Sequence, residues 1–274
     1  MARDVPLSLN RIAKPDLPLP EFLRLAADVG MRYAEVRNDL PGVPVLDGLS
    51  EAELRKAMAA TGVQIVTVNA LYPFEHGQHL EANLSKLRAI IEDARKVDCK
   101  YVVMCPFNER GDTRTPARRA ADLVAALDAY GPLFTAAGMV GLIEALGFER
   151  SALRTKRAAL DGIERCSHPR AFSLLHDTFH HWLAGETELF PARTGFVHVS
   201  GVARGKPRSA VQDDDDRILV DATDAMDNRG QLAALLAGGC KAIVSFEPFG
   251  PSVRAKPVPE LRKALQESVR YLLG

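Results

Sequence analysis

Glu144, Asp177, His198 and Glu247 are three acids and an imidazole spread over about a hundred residues, the residue types that hold a divalent cation through three oxygens and one nitrogen. One of them also belongs to a competing pattern. The run His176-Asp177-Thr178-Phe179-His180 has the outline of the helical zinc-protease motif H-E-x-x-H, with Asp in place of Glu. On a helix, His176 and His180 would lie one turn apart and share a zinc, with the acid beside them as base. At the end of a strand, Asp177 would become the ligand and His176 would turn away, because successive strand side chains alternate faces. The elements that carry these residues decide between the two.

Short β-rich apolar runs recur along the chain at 5–10, 32–37, 63–69, 100–105, 139–144, 171–177, 195–199 and 241–247. Amphipathic stretches at 19–30, 50–62, 80–97, 117–138 and 258–273 lie between or after them. Several end on a glycine, Gly30, Gly62 or Gly138, just before the next run, where a helix C-cap is expected. Strands alternating with helices imply parallel pairing through right-handed crossovers. Eight such units predict a (β/α)8 TIM barrel, with residues 1–274 as one domain. The segment 200–228 is about four times the usual βα connection, and a role in covering the site is weighed against a floppy, solvated excursion.

In such a barrel the site forms where the strands end at their carboxyl side. The polar residues there are Asn10, Glu35, Arg37, Asn69, Cys105, Glu144, Asp177, His198 and Glu247. Glu144, Asp177, His198 and Glu247 come from four consecutive strands, the fifth to the eighth, and should converge on one side of the mouth. Three close carboxylates would repel one another without a cation, so one divalent metal ion, Mn2+, Zn2+, Co2+ or Mg2+, is expected among them. Pairing with Arg37, Arg193 or Arg204 is the alternative use of such acids. Because 171–175 leads into His176-Asp177 as a strand, the zinc-protease outline is set aside. Cys105 is read as a small buried hydrophobe, and Trp182 and Phe249 as either walls for a sugar or core.

Bulk properties narrow the partners. Lysine plus arginine and aspartate plus glutamate are equal at 35 each, so no global basic field draws in nucleic acid or an anionic membrane, although a local patch remains open. No apolar run reaches the length of a membrane span. The four cysteines form no C-x-x-C pair and the start lacks an apolar signal core, which points to a cytoplasmic location.

With those residues in place, the chain resembles the xylose-isomerase-like barrel superfamily of sugar isomerases and epimerases, and within it the inosose (2-keto-myo-inositol) isomerases. The resemblance is carried by VNALYPF, IEALG, HDTFHHWLAG, HVS, DDDDR and VSFEPF and runs over nearly the whole chain. It implies a metal held by Glu144, Asp177, His198 and Glu247, with Glu144 and Glu247 doubling as the catalytic acid and base. It also implies His180 and Arg217 as substrate contacts, and His181 as structural or surface. Asn69 and Glu35 are candidates for hydroxyl recognition. Ser200-Gly201 and the run Ile218 to Asp221 depart from what relatives carry, which bears on substrate identity.

The implied reaction is proton abstraction beside a carbonyl, through an enediolate, on a small ketose or inosose; returning the proton to the neighbouring carbon isomerises, and to the opposite face of the same carbon epimerises. Inosose isomerase is the leading expectation. Ketose 3-epimerase, inosose dehydratase and hydroxypyruvate-type isomerase are the near alternatives, and a non-catalytic sugar-binding barrel a more distant one. Abasic-site endonucleases of the same superfamily need histidines at the ends of the third and fourth strands, which here end in Asn69 and Cys105-Pro106. Relatives are often dimers or tetramers, so a homo-oligomer is open to this chain.

Overall fold

A computed structural model describes residues 5–211 and 213–274. Eight parallel strands, β1 (Leu7–Asn10), β2 (Tyr33–Arg37), β3 (Gln64–Leu71), β4 (Tyr101–Met104), β5 (Val140–Glu144), β6 (Phe172–Asp177), β7 (Thr194–Val199) and β8 (Ile243–Phe246), close in sequence order into a barrel. β1 pairs with β8 to complete the ring. Helices α1 (Leu19–Asp28), α2 (Glu51–Thr61), α3 (Leu80–Lys96), α4 (Pro116–Ala137), α5 (Lys156–Arg165), α6 (Thr178–Ala184), α7 (Asn228–Ala237), α8 (Pro251–Arg254) and α9 (Val258–Leu273) follow the strands. The (β/α)8 expectation is what the chain adopts.

Local sequence explains the punctuation. Ser50 caps α2 through a reciprocal pair with Glu53, satisfying two orphan donors of the first turn. Gly62 and Gly138 close α2 and α4 with φ of 70° and 64°, a region where a Cβ is strained. α5 and α7, absent from the list of clear amphipathic stretches, are short helices whose start is set by caps, Thr155 and Asp227, rather than by a long apolar stripe.

Strand parity, broken on β3 where its register against β2 and β4 shifts, sorts the side chains into two cores. Leu9, Ala34, Val36, Val102, Met104, Ile143, Leu174, Val197, Val199, Val244 and Phe246 point outward and pack under the helices. Val66, Ala70, Val103, Leu142, Leu175 and Phe196 fill the barrel interior. Above that apolar plug the inward positions turn polar. Asn10, Glu35, Thr67, Asn69, His198 and Ser245 are all buried there, and each finds a hydrogen-bond partner inside the barrel. That network builds the floor of the site.

The long connection after β7 is not a loose excursion. It folds back on itself through isolated antiparallel bridges, Gly201 to Ile218 and Ala203 to Asp224. A Cβ on Gly201 would sit 2.7 Å from the Leu219 carbonyl oxygen, so the close approach requires glycine. Among the described residues, no helix is long and apolar enough to cross a membrane.

Candidate metal centre

Glu144, Asp177, His198 and Glu247 meet at the carboxyl end of the barrel. Each offers one ligand atom, those atoms lie within 4.8 Å of one another, and all four side chains are buried. His198 Nδ1 is 3.0 Å from Glu247 Oε2, 3.2 Å from Glu144 Oε1 and 3.9 Å from Asp177 Oδ2. The set is three oxygens and a nitrogen, which suits a divalent cation of the Mn, Zn, Co or Mg kind. Charge agrees. The buried carboxylates Glu35, Glu144, Asp177 and Glu247 face the buried guanidinium groups of Arg37 and Arg217, leaving two negative charges with a neutral His198. The residues present therefore fit a divalent metal ion.

Each ligand is held by its own neighbours. Glu247 Oε1 accepts from Asn10 Nδ2 at 3.0 Å, Arg37 Nη1 at 2.9 Å and Asn69 Nδ2 at 3.2 Å, which leaves Oε2 turned to the centre. Asp177 uses Oδ1 to accept from the Phe179 and His180 backbone N–H groups at 2.7 and 3.1 Å, capping α6, and keeps Oδ2 for the centre. Glu144 Oε2 accepts from the Cys105 thiol at 3.3 Å. Burial and the Glu144 carboxylate push that thiol well above its ordinary range.

Glu35 lies behind His198, not beside a cavity. Its carboxylate is 3.1 Å from His198 Nε2 through Oε1 and accepts from Thr67 at 2.5 Å, Asn10 at 3.2 Å and the Ser245 hydroxyl. It is fully buried. Asn69 likewise spends its amide on Glu247. Glu35 therefore offers no free polar edge for hydroxyl recognition.

The electrostatics are uneven across the cluster. Burial raises the Glu144 carboxyl and the neighbouring carboxylates add to this, while His198 only partly offsets it. Burial acts the same way on Glu247, yet His198, Arg217 and Arg37 outweigh it and hold Glu247 well below the usual range. Asp177 is also lowered, burial being overcome chiefly by Arg217 and then His180. His198 is pulled down by burial but carried well above its usual range by Glu247, Glu35 and Glu144.

Arg217 reaches the cluster from the long connection after β7. Its Nη2 donates to Asp177 Oδ2 at 2.6 Å and Glu247 Oε2 at 2.8 Å, and its Nε donates to Ser200 Oγ at 3.0 Å. The guanidinium lies 5.0 Å from the Phe179 ring and 4.7 Å from the Phe249 ring, a geometry that adds cation–π attraction. Phe249 thus packs on Arg217, and Ser200 supplies a neutral acceptor. Of the other two arginines weighed as partners for the acids, Arg193 pairs with Glu164 and Arg204 donates to the Asp224 carbonyl, outside the cluster.

His180 begins α6 with its ring toward the β5 connection. The Gly147 N–H donates to His180 Nδ1 at 3.2 Å, which makes Nδ1 the acceptor and leaves Nε2 as the N–H. His176, one residue before the ligand Asp177, faces the other way and bonds Gln231 at 2.9 Å. The protease outline therefore breaks at the strand-to-helix junction. His181 is structural: its Nδ1 lies 2.7 Å from the buried Lys156 Nζ, which also bonds Glu186.

Sequence reasoning gave no role to Asn10 or Cys105 in holding the carboxylates, although both stood among the strand-end residues, while Arg37, weighed there as a partner for the acids, does pair with Glu247. Phe148, packed 5.3 Å from the His180 ring and 5.9 Å from Phe179, was not singled out at all. It lies in a loop whose path no periodicity foretells.

The profile of the xylose isomerase-like TIM barrel family matches residues 23–273. The chain belongs to that family. A xylose isomerase domain-containing protein from Salmonella typhimurium LT2 shares 31% identity over 100% of this chain and 99% of its own, with a TM-score of 0.89. The IOLI protein, solved with a bound zinc atom, is 19% identical, with 98% of each chain covered and a TM-score of 0.87. D-psicose 3-epimerase from Clostridium cellulolyticum H10 is 13% identical over 97% of this chain and 98% of its own, with a TM-score of 0.71. No curated protein sequence matches the chain. At those last two identities the likeness is one of fold, and the zinc in IOLI is a property of IOLI.

Proposed function

We propose that this family member is a metal-dependent isomerase of a small cyclic or open-chain keto-polyol, with an inosose as substrate, held and turned over at Glu144, Asp177, His198 and Glu247. The observation that carries the reading is the buried convergence of those four ligand atoms at the end of the barrel where TIM-barrel chemistry takes place. The zinc in IOLI and the epimerase activity named for the Clostridium neighbour support the class. A bound divalent cation would supply Lewis acidity to a carbonyl and the hydroxyl beside it.

The protein's own groups divide the proton work. Glu247, whose Oε2 faces the centre beside Arg217 Nη2, is the base that takes the C–H proton beside the carbonyl. Glu144, whose affinity for a proton is raised, returns one. His180 donates from Nε2 to a substrate oxygen, and Arg217 offsets the charge of the enediolate.

Two residues take roles other than hydroxyl recognition. Glu35 fixes His198 with Nδ1 toward the centre, as carboxylate partners do for ligating histidines, and Asn69 orients Glu247. Both act through a ligand, so they are positioning residues.

The test is incubation of the Mn2+-reconstituted protein with a panel of inososes and ketoses in deuterated water, followed by NMR. Deuterium at an α-carbon with appearance of the isomer is expected, and the product separates isomerase from 3-epimerase and dehydratase. Absence of deuterium from every substrate would sink the reading. Glu247→Gln should abolish exchange while the protein still binds metal; undiminished exchange in that variant removes Glu247 as the base.

A further inference from the structure

A second feature of the same end of the barrel has no part in the chemistry above. A groove of about 710 Å3 runs between the connections that follow β4, β5, β6 and β7. Its wall carries Arg110, Arg119, Arg150, Arg154 and Arg208, against the carboxylates Glu109, Asp112 and Glu149. Two of those three acids are engaged. Asp112 is bound by Arg114 and Arg119, and Glu109 accepts from the Tyr72 hydroxyl at 3.2 Å. In a chain whose formal net charge is zero, this is a local concentration of positive charge.

The guanidinium groups are held in place by the backbone. Arg154 donates to the Gly147 carbonyl through Nε at 3.3 Å and Nη2 at 3.0 Å. Arg208 donates through Nη1 to the Trp182 carbonyl at 2.9 Å, at the C-terminal end of α6, and a Cβ on Gly185 would come within 2.8 Å of that same nitrogen. Among the described residues neither has a carboxylate partner. Arg150 lies over the Phe148 ring at 4.2 Å and donates to the Asn108 carbonyl. For Arg154 and Arg208, carbonyl anchoring fixes the fork while leaving its positive charge uncancelled, a state suited to an incoming phosphate or carboxylate.

The groove is also joined to the metal centre by one residue, Gly147. The Gly147 N–H points inward to His180 and its carbonyl points outward to Arg154. The Phe148 ring forms the wall between, in contact with His180 on one side and Arg150 on the other.

We infer that this groove is an anion site, taking the phosphate or carboxylate group of a small polyol through Arg154 and Arg208, beside but distinct from the metal centre. The anion is either a substituent of the substrate or a separate small ligand, and both have the same chemistry at these arginines. The inference stands on the groove alone. It does not require the isomerase reading.

The experiment is calorimetric titration of inorganic phosphate into the metal-loaded protein, in wild type, Arg208→Gln and Arg154→Gln/Arg208→Gln, with metal content measured for each. Saturable phosphate binding that weakens about tenfold or more in the double variant, at unchanged metal content, is expected, because two charge-assisted contacts are lost. Absence of binding, or binding undiminished in both variants, as it would be for phosphate on the metal itself, overturns the site. If Arg154→Gln disturbs His180, Arg208→Gln alone still reads the groove, with a smaller loss expected. A companion arm compares D-fructose 6-phosphate with D-fructose and adds phosphate to the deuterium-exchange reaction. A rise in KM alone that is lost in the double variant assigns the anion to the substrate, and a change in kcat alone that is lost there assigns it to a separate ligand; either sustains the site, and an effect that persists in the double variant counts against it. Failure of all exchange would count against the isomerase and leave the titration unaffected.

Discussion

Replacing Glu35 by Gln should weaken metal binding without any loss of a ligand. The carboxylate takes donors from His198 Nε2, Thr67, Asn10 and the Ser245 hydroxyl, all in a region closed to water. A glutamine offers one acceptor oxygen and adds two N–H donors, so at least one of the surrounding donors loses its partner. If the new amide faces His198, it donates to Nε2, the imidazole proton moves to Nδ1, and the nitrogen facing Glu144 and Glu247 can no longer bind a cation. Loss of such an orienting carboxylate costs about 10–100-fold in metal affinity, or roughly 1.5–3 kcal/mol. The assay is competition for Mn2+ or Zn2+ against a chromophoric chelator, with thermal unfolding of the metal-free protein to establish that the variant folds. A folded Glu35→Gln protein whose metal Kd lies within about twofold of wild type would refute the positioning role. A variant that binds metal normally but shows a raised KM would instead return Glu35 to hydroxyl recognition.

Further predictions concern charge and protons. Chelation of the metal should lower the unfolding midpoint by about 5 °C or more, since a cation at about 100 times its Kd contributes roughly 2.7 kcal/mol; calorimetry with and without EDTA checks this, and an unchanged midpoint would contradict the metal centre. Arg217→Leu should destabilise the metal-free protein by about 3–5 kcal/mol, because Asp177 and Glu247 lose a buried counter-charge. The loss should shrink when metal is present, and equal losses in both states, by urea unfolding, would show that the arginine and the cation do not serve the same charges. His181 is pulled down to about 4 by burial and by Lys156, against about 6.5 in an unfolded chain. Between those values the unfolded state holds a proton that the native state lacks, so stability is full above about pH 6.5 and falls, by about 3 kcal/mol in all, as pH drops towards 4. His181→Asn should flatten that slope in urea titrations at several pH values, and parallel curves for variant and wild type would exclude this source.

What was readable in the sequence follows from two short-range rules. The spacing of apolar runs and the helix-ending glycines is local, so it specified eight βα units, and closure of the barrel followed from the right-handed crossovers. Two-residue alternation is also local. It set Asp177 inward and His176 outward, and so distinguished a strand-end ligand from a protease helix.

The roles of Glu35 and Asn69 were not readable, because depth along the barrel axis is not a property of any one strand. Glu35 lies two residues before the end of β2, and the register of β2 against β1 and β3 sets it under His198 rather than at the open mouth. The resemblance implied Arg217 in the site, but its partners there follow from the folding back of the connection after β7 through the Gly201 and Ile218 pairing. The arginine groove is more distributed still, assembled from four connections that share no sequence signal. The sequence by itself determined which side chains enter the barrel, through backbone periodicity. Which of them meet, and which are left facing one another across a buried charge, was decided by tertiary register and loop closure, where burial forces every polar atom to find a partner.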